Sequence, residues 1–437
     1  MRIAIIGTGI AGMTAAARLA PDHELTVYEA SDYFGGHTAT VDIELHGRHY
    51  AIDTGFIVFN DWTYPNFIAL LDELGVEWQC SNMSFSLSCE RTGLEYNGTS
   101  INSLFAQRRN LLRPSFLRMI ADILRFNSRA RALLATDDQT LTLGDYLQRG
   151  GYSRSFIERY IVPMGMAIWS QPERSVLAFP AHFFVEFFDK HGFLNVNNRP
   201  VWRTVRGGSR EYARKLVAPF RSRIRLNQPV AGVERHSDHV RVRTRRGEVE
   251  HFDYVVFACH SDQALALLER PTTNEQQILG AFPYQPNEAV LHTDVRMLPR
   301  TPLARAAWNY HAVDRERHGL NRDAGAHLAL TYDMNVLQNI TAPEVFMVTL
   351  NRTADIDPKR ILGQYTYDHP VYTPAGVAAQ ARRAEISGVN RSFYCGAYWR
   401  YGFHEDGVVS AQWAVADLQR VLSGDLWRTP TVQAASA

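Results

Sequence analysis

Gly7, Gly9 and Gly12 follow directly on a short apolar run, Ile3-Ala4-Ile5-Ile6, and Glu29 closes a second one, Leu25-Thr26-Val27-Tyr28. Strand, G-x-G-x-x-G, helix, strand, acid is an arrangement that holds a dinucleotide. Gly7 permits the tight turn, Gly9 lets the backbone approach a pyrophosphate, and Gly12 lets the helix lie close to the strand. The helix, entered through Ile10 and Ala11, turns free N–H groups and the positive end of its dipole towards the phosphates. Glu29 comes about 20 residues after the first glycine, where a ribose hydroxyl would meet it. A plain turn between strand and helix would need neither the third glycine nor the acid.

A second glycine pair follows at once, in Ala30-Ser31-Asp32-Tyr33-Phe34-Gly35-Gly36-His37. A simple NAD site has no use for it. The stretch resembles the extended fingerprint of FAD-binding proteins of the amine-oxidase and phytoene-desaturase superfamily. There the pair comes close to the FAD pyrophosphate and an Arg usually follows; here His37 stands in that place. Three further motifs carry the same resemblance: Asp53-Thr54-Gly55-Phe56-Ile57-Val58-Phe59-Asn60, Met83-Ser84-Phe85-Ser86 and Gly93-Leu94-Glu95-Tyr96. Tyr394-Cys395-Gly396-Ala397-Tyr398-Trp399 adds a fourth near the C-terminus. In detail the chain is similar to a bacterial subgroup of NAD/FAD-binding, amine-oxidase-like flavoproteins.

The resemblance implies FAD as cofactor and assigns further contacts. Thr54, Gly55 and Phe56 would lie on a loop near the flavin ring. Val230 would meet the adenine through its backbone, and Ala258 would come close to the dinucleotide. Gly396 would face the pyrophosphate, with Ala397 where many relatives place an acid for the ribityl chain. Asp406, Gly407 and Val408 would set a helix N-terminus against the flavin pyrimidine, where reduced flavin is anionic and a helix dipole stabilises it. Cys395 precedes Gly396 but does not match the usual site of covalent attachment.

The elements that must position these residues are dispersed. Val240–Thr244 alternates as a half-exposed strand, Arg245-Arg246-Gly247 turns, and Val249–Phe252 returns as a second strand. Tyr254–Ala258 reads as a buried parallel strand followed by a helix over 261–268, and Phe393–Gly396 as another buried strand. From Gly407 to Leu422, Val408, Ala411, Ala414, Val415 and Leu418 share one buried face of a helix. The expected fold is therefore α/β, a discontinuous Rossmann-like FAD-binding domain (1–75, 200–275 and 375–437) with an inserted α+β substrate domain (76–199 and 276–374). The first insert reads as helical; the second has strand-like runs at Ala326–Thr331 and Glu344–Leu350.

With 437 residues, 46% of them hydrophobic, and a formal net charge of +1, the chain is a two-domain globular protein with no general pull on polyanions. The basic charge is nearly all Arg, the lysines being Lys190, Lys215 and Lys359. Cys80, Cys89, Cys259 and Cys395 form no C-x-x-C pair, so neither a metal site nor a disulfide framework is expected. The first strand leaves no room for a signal peptide, and no apolar run is long enough to span a bilayer. A cytoplasmic chain is expected, with a disordered tail after Thr429.

A flavin protein without phosphoryl or acyl chemistry usually moves a hydride. Classical amine oxidases commonly carry a water-linked lysine beyond the buried strand, yet 276–350 contains none. Phe179, Phe183, Phe184, Phe187, Phe188 and Phe193 crowd one segment, fit to line an apolar tunnel or simply to pack a core. Residues 108–131 hold seven arginines against Asp122, and Pro114 opens a helix there. Phe116, Ile120, Ile123 and Leu124 are expected on one face and Arg118, Arg125 and Arg129 on the other, an arrangement suited to a membrane surface or merely to water. No nucleic-acid-binding fold accompanies these arginines. The subgroup resembled is often linked with lipid modification. The leading expectation is thus dehydrogenation of an acyl chain; the alternatives are an amine or amino-acid oxidase, a non-redox use of FAD, and a dinucleotide-binding protein without chemistry. His404 is the candidate proton acceptor. Tyr398, Trp399 and Tyr401 are candidates to shape the cavity beside the ring. Trp169-Ser170-Gln171 and Tyr332-Asp333-Met334-Asn335 are candidate walls from the inserts.

Overall fold

Ile3–Ile6 and Leu25–Tyr28 are continuous apolar runs because their sheet is covered on both faces. A computed structural model describes residues 1–136, 138, 140–314 and 328–424. Two compact units emerge: one built from 1–38, 212–282 and the stretch from Ala375 on, the other from 39–211 and 283–374.

The first unit is a five-stranded parallel sheet in the order Ile224–Arg225, Glu24–Tyr28, Arg2–Ile6, Tyr254–Phe257, Ser392–Tyr394. Ile5 at its centre pairs with Val27 on one side and Val256 on the other. The helix Ile10–Leu19 packs against the long helix His404–Ser423. All five apolar residues expected on the inner face of the latter, from Val408 to Leu418, are buried. Val230–Arg235, Val240–Thr244 and Val249–Phe252 form a separate antiparallel ribbon.

The second unit centres on a seven-stranded sheet. Its order is Ile361–Pro370, Tyr284–His292, Met347–Leu350, Leu330–Asp333, Trp308–Ala312, Phe85–Cys89, Leu94–Asn97. Only the pair of Trp308–Ala312 with Phe85–Cys89 is parallel. The two strand-like runs of the second insert thus begin later than the sequence implied, and positions 326 and 327 lie outside the described residues, as does the tail beyond 424. Helices Pro114–Arg129, Leu143–Arg149, Val162–Trp169 and Ala181–Lys190 make up much of the rest.

Two sequence expectations need correction, and one open alternative is decided. Residues 39–75 and 200–211 group with the inserts rather than with the nucleotide unit, and 276–282 group with the nucleotide unit: Asp53 is hydrogen-bonded to Ser209 and Gln338, so the hairpin Thr40–Leu45/Arg48–Asp53 is tied into the second unit. The phenylalanine cluster packs a core, one of the two readings its spacing left open. Phe179, Phe183, Phe184, Phe187 and Phe188 are buried; Trp169 packs against Phe187 at 4.6 Å and Phe184 stacks on Phe188 at 4.3 Å. On Pro114–Arg129 the buried face is Phe116, Met119, Asp122 and Phe126, while Leu117 and Leu124 face outwards. Periodicity misled here because a carboxylate occupies a core position: Asp122 is neutralised by Arg118 at 3.3 Å and Arg125 at 2.9 Å.

Candidate functional site

The start of the first helix is a cradle. Gly7 adopts φ +103°, and a Cβ there would meet the Ala258 carbonyl oxygen at 2.8 Å, so only glycine turns the chain at this point. At Gly12 a Cβ would lie 2.0 Å from the Gly7 oxygen, which presses the helix onto the strand. Gly9 is the opposite case. A Cβ there meets nothing within 4 Å, and no side chain caps the helix that begins at Ile10. The N–H groups of Ile10, Ala11 and Gly12 therefore surround open space, which fits a diphosphate.

Other predicted residues converge on this point. Gly36, at φ +58°, brings its α-carbon so close that a Cβ would come within 3.3 Å of the Gly9 Cα. Gly35 N–H donates to the Thr8 carbonyl at 3.1 Å. His37 lies on the same loop, its ring 6.3 Å from that of His260. Gly407 abuts the helix start as well, its Cβ position 2.5 Å from Ile10 Cγ2. Two helix N-termini, at Ile10 and at His404, thus meet over one patch, and both bring positive dipole ends to it.

Glu29 carries its carboxylate back to this turn. Its Oε2 accepts from Thr8 N–H at 3.0 Å and its Oε1 from Ser31 N–H at 2.9 Å, leaving further lone pairs for a ribose. Gln228 N–H donates to the Glu29 carbonyl at 2.9 Å, which places Val230 beside the acid's strand. Gly396 lies across the sheet at the end of Ser392–Tyr394. Its N–H is taken by Ser410 Oγ at 2.9 Å, and the Tyr398 ring covers the side a Cβ would occupy, so its closeness to Tyr398 explains the glycine. Asp406 accepts from Phe403 N–H at 2.9 Å and so caps its own helix; burial raises its carboxyl to about 6, against the pull of Arg400 3.3 Å away.

His404 stands on no open face. Its Nε2 is 3.0 Å from Tyr212 OH and 3.2 Å from Thr38 Oγ1, and those two hydroxyls bond to each other. Burial lowers the imidazole to about 3, so it stays neutral and holds three distant segments together. Both features weigh against His404 as a proton acceptor. Tyr398 and Trp399 are both buried, with ring centroids 4.9 Å apart and Phe282 5.2 Å and 5.7 Å from them. Trp399 Nε1 is buried without a hydrogen-bond partner among the protein atoms. Neither Thr38 nor Tyr212 was legible as a site residue, since no motif surrounds them.

In the second unit Thr54 Oγ1 meets Tyr367 OH at 2.7 Å, and the Phe56 ring lies 5.3 Å from Phe67 beside Gly55. Asp53 is a hub that the motif alone did not reveal. It accepts from Thr40 Oγ1 at 2.6 Å, Ser209 Oγ at 2.8 Å, Ser209 N–H at 2.9 Å and Gln338 Nε2 at 3.0 Å. Desolvation outweighs these donors and raises its carboxyl to about 6. The one sequence signal for its partners was Gly207-Gly208-Ser209, where Gly208 at φ +93° delivers Ser209 to the carboxylate. Trp169 and Gln171 are core residues, Gln171 Nε2 bonding the Pro370 carbonyl at 2.8 Å. Asp333 caps the short helix Met334–Leu337. No group of His, Cys, Asp or Glu among the described residues could hold a metal ion.

Known proteins match in three ways. The model of the family "Flavin containing amine oxidoreductase" matches residues 10–297. Cyclohexylamine oxidase from Brevibacterium oxydans IH-35A has a similar structure, with a TM-score of 0.68 at 17% identity, over 97% of this chain and 99% of that one. So has the CLA-producing fatty acid isomerase from P. acnes, with a TM-score of 0.66 at 16% identity over 96% and 98%. A 91-residue stretch is 38% identical to the 15-cis-phytoene desaturase of Synechococcus elongatus; it spans 20% of this chain and only 18% of the desaturase. With the cradle at Gly9, the paired helix starts and a match across most of its length, this chain belongs to the flavin containing amine oxidoreductase family, and it is an FAD-dependent oxidoreductase.

Proposed function

We propose that the protein oxidises amines. The observation that carries the reading is the family match over residues 10–297, and the likeness to a cyclohexylamine oxidase along nearly the whole chain supports it. FAD, when bound, supplies a two-electron acceptor for a hydride. In the proposed step a C–H bond beside nitrogen breaks, a C=N bond forms, and nitrogen gives up a proton. Gly9, Gly12 and Gly36 leave room for the diphosphate, Glu29 holds a ribose, and the helix start at His404 offers positive potential to an anion. Phe282, Tyr398 and Trp399 form a buried aromatic group beside Gly396. Since 276–350 holds no lysine, the reading assigns the proton to water.

A second reading, dehydrogenation of an acyl chain, is favoured by the desaturase stretch. Its earlier support from the phenylalanine segment is gone, because those rings are core. Anaerobic mixing of the yellow protein with primary and cyclic amines, and separately with acyl lipids, decides between them. Loss of flavin colour with amines is the expected result. Loss with lipids alone overturns the amine reading in favour of the second, and no loss with either points to a non-redox use of the cofactor.

A further inference from the structure

The exposed leucines and isoleucines of this protein are gathered in one region, whereas its exposed valines, Val196, Val201, Val249, Val295 and Val389, are spread along the chain. Among the described residues the largely exposed leucines and isoleucines are Ile101, Leu111, Leu112, Leu117, Leu124 and Leu303. Five of the six fall between positions 101 and 124. Leu303 is far off in sequence, yet its turn Pro302–Ala304 packs against the helix Ile101–Leu104 and the strand Leu94–Asn97. Leu112 is 87% exposed and Ile101 79%. Side chains that stand so free of the surface, clustered rather than scattered, mark an interaction site.

The same region is basic. Arg108 and Arg109 donate to the carbonyls of Phe105 at 2.9 Å and Gly93 at 3.0 Å, which leaves their charge uncompensated. Arg108, Arg109, Arg113 and Arg129 form no ion pair among the described residues. The acid of the stretch, Asp122, is buried and already engaged by Arg118 and Arg125. On the helix Pro114–Arg129, Leu117, Ala121, Leu124 and Ser128 form one outward column, and Arg118, Arg125 and Arg129 form the column beside it. Arg300 adds an exposed cation near Leu303.

We infer that this face, Ile101 to Leu124 together with Leu303, docks the protein on a lipid bilayer that carries anionic headgroups. Leucines would enter the boundary of the acyl chains while the arginines lie among the phosphates. Charge complementarity chooses this occupant. A second copy would set uncompensated arginines against arginines, and a nucleic acid would give the protruding leucines nothing to enter. The inference stands apart from the amine reading, since the surface makes no claim about the substrate.

Co-sedimentation with vesicles tests it, using the FAD-loaded full chain. The protein should pellet with phosphatidylglycerol–phosphatidylcholine vesicles, partition about fivefold less for each arginine neutralised, as expected near an anionic surface, and be released by high salt. Pure phosphatidylcholine should bind it far less. Leu112→Glu combined with Leu117→Glu and Leu124→Glu should abolish pelleting while flavin content and circular dichroism stay unchanged. Arg108→Gln with Arg109→Gln and Arg113→Gln is the second variant, which leaves the apolar column intact. Failure of the wild type to pellet with anionic vesicles overturns the inference, as does pelleting that neither variant weakens. A wild-type dimer that the leucine variant makes monomeric, without vesicle binding by either, also overturns it and assigns the face to self-association.

Discussion

Gly9 and Gly12 are three residues apart and glycine for opposite reasons. At Gly12 there is no room: a Cβ would sit 2.0 Å from the Gly7 oxygen. At Gly9 there is open room, which suits a cofactor's diphosphate. Gly9→Val should therefore give a folded, colourless protein, with circular dichroism like that of the wild-type apoprotein and no FAD released on denaturation. Gly12→Val should fail to fold or lose several kcal/mol, roughly the range of a severe core overpacking or more. If Gly9→Val retained bound FAD, the cradle would be misplaced. His404 carries a different lesson at the same scale. A histidine at the start of a helix expected to meet the cofactor looks like a base, but its Nε2 is enclosed by Thr38 and Tyr212. Three partners at positions 38, 212 and 404 leave no local pattern for sequence reasoning to find.

Among the elements, those with a strong period were legible almost to the residue. Val240–Thr244 and Val249–Phe252 appear with the expected bounds, and Glu24–Tyr28 and Tyr254–Phe257 within one residue. Half-buried and fully buried strands announce themselves by alternation or by continuous apolar runs. The helix Pro114–Arg129 shows where that reasoning stops: with Asp122 inside and Leu117 and Leu124 outside, polarity no longer reports burial. The large sheet holds a row of the same kind. His311 Nε2, Thr331 Oγ1, Thr349 Oγ1 and His292 Nε2 form a buried chain with steps of 2.9, 2.8 and 2.7 Å across neighbouring strands. Thr349→Val keeps the shape but strands both of its partners, so it should cost about 1–3 kcal/mol, the penalty of a buried polar group left unpaired. Denaturant unfolding measures this; a neutral substitution would mean that the row is solvated.

For the whole molecule, the two units differ in how much the sequence disclosed. Nucleotide-binding motifs sit at fixed offsets from strands, so the parallel sheet and its three-piece origin could be read directly. The hairpin at 40–53 was placed in the wrong unit because its loyalty is decided by Asp53 and its distant donors, Ser209 and Gln338. Buried ionisable groups also set how the entire fold responds to acid. Burial lowers His191 and His292 to about 4 and His311 and His404 to about 3. Their contribution is full above the ordinary histidine value and is lost as pH falls towards those lowered values. Asp53 and Asp406, raised to about 6, act in the opposite sense: their contribution is complete below the ordinary carboxylate range and is lost as pH rises through about 6. The four histidines outweigh the two acids, so stability should fall as pH is lowered from about 7 to about 5, the window between ordinary histidine titration and the shifted values. Stability that rises over that interval in urea titrations would show that these imidazoles are not buried neutral.

The central claim is that residues from Gly7 to Gly407 hold FAD in an enzyme that moves electron pairs. Its most direct measurement is the visible absorbance of the purified, folded protein, followed by denaturation and identification of the released cofactor. The account predicts a yellow protein that releases one FAD per chain, or, if purified without it, one that takes up FAD to that ratio. A folded protein that stays colourless after incubation with FAD would contradict it.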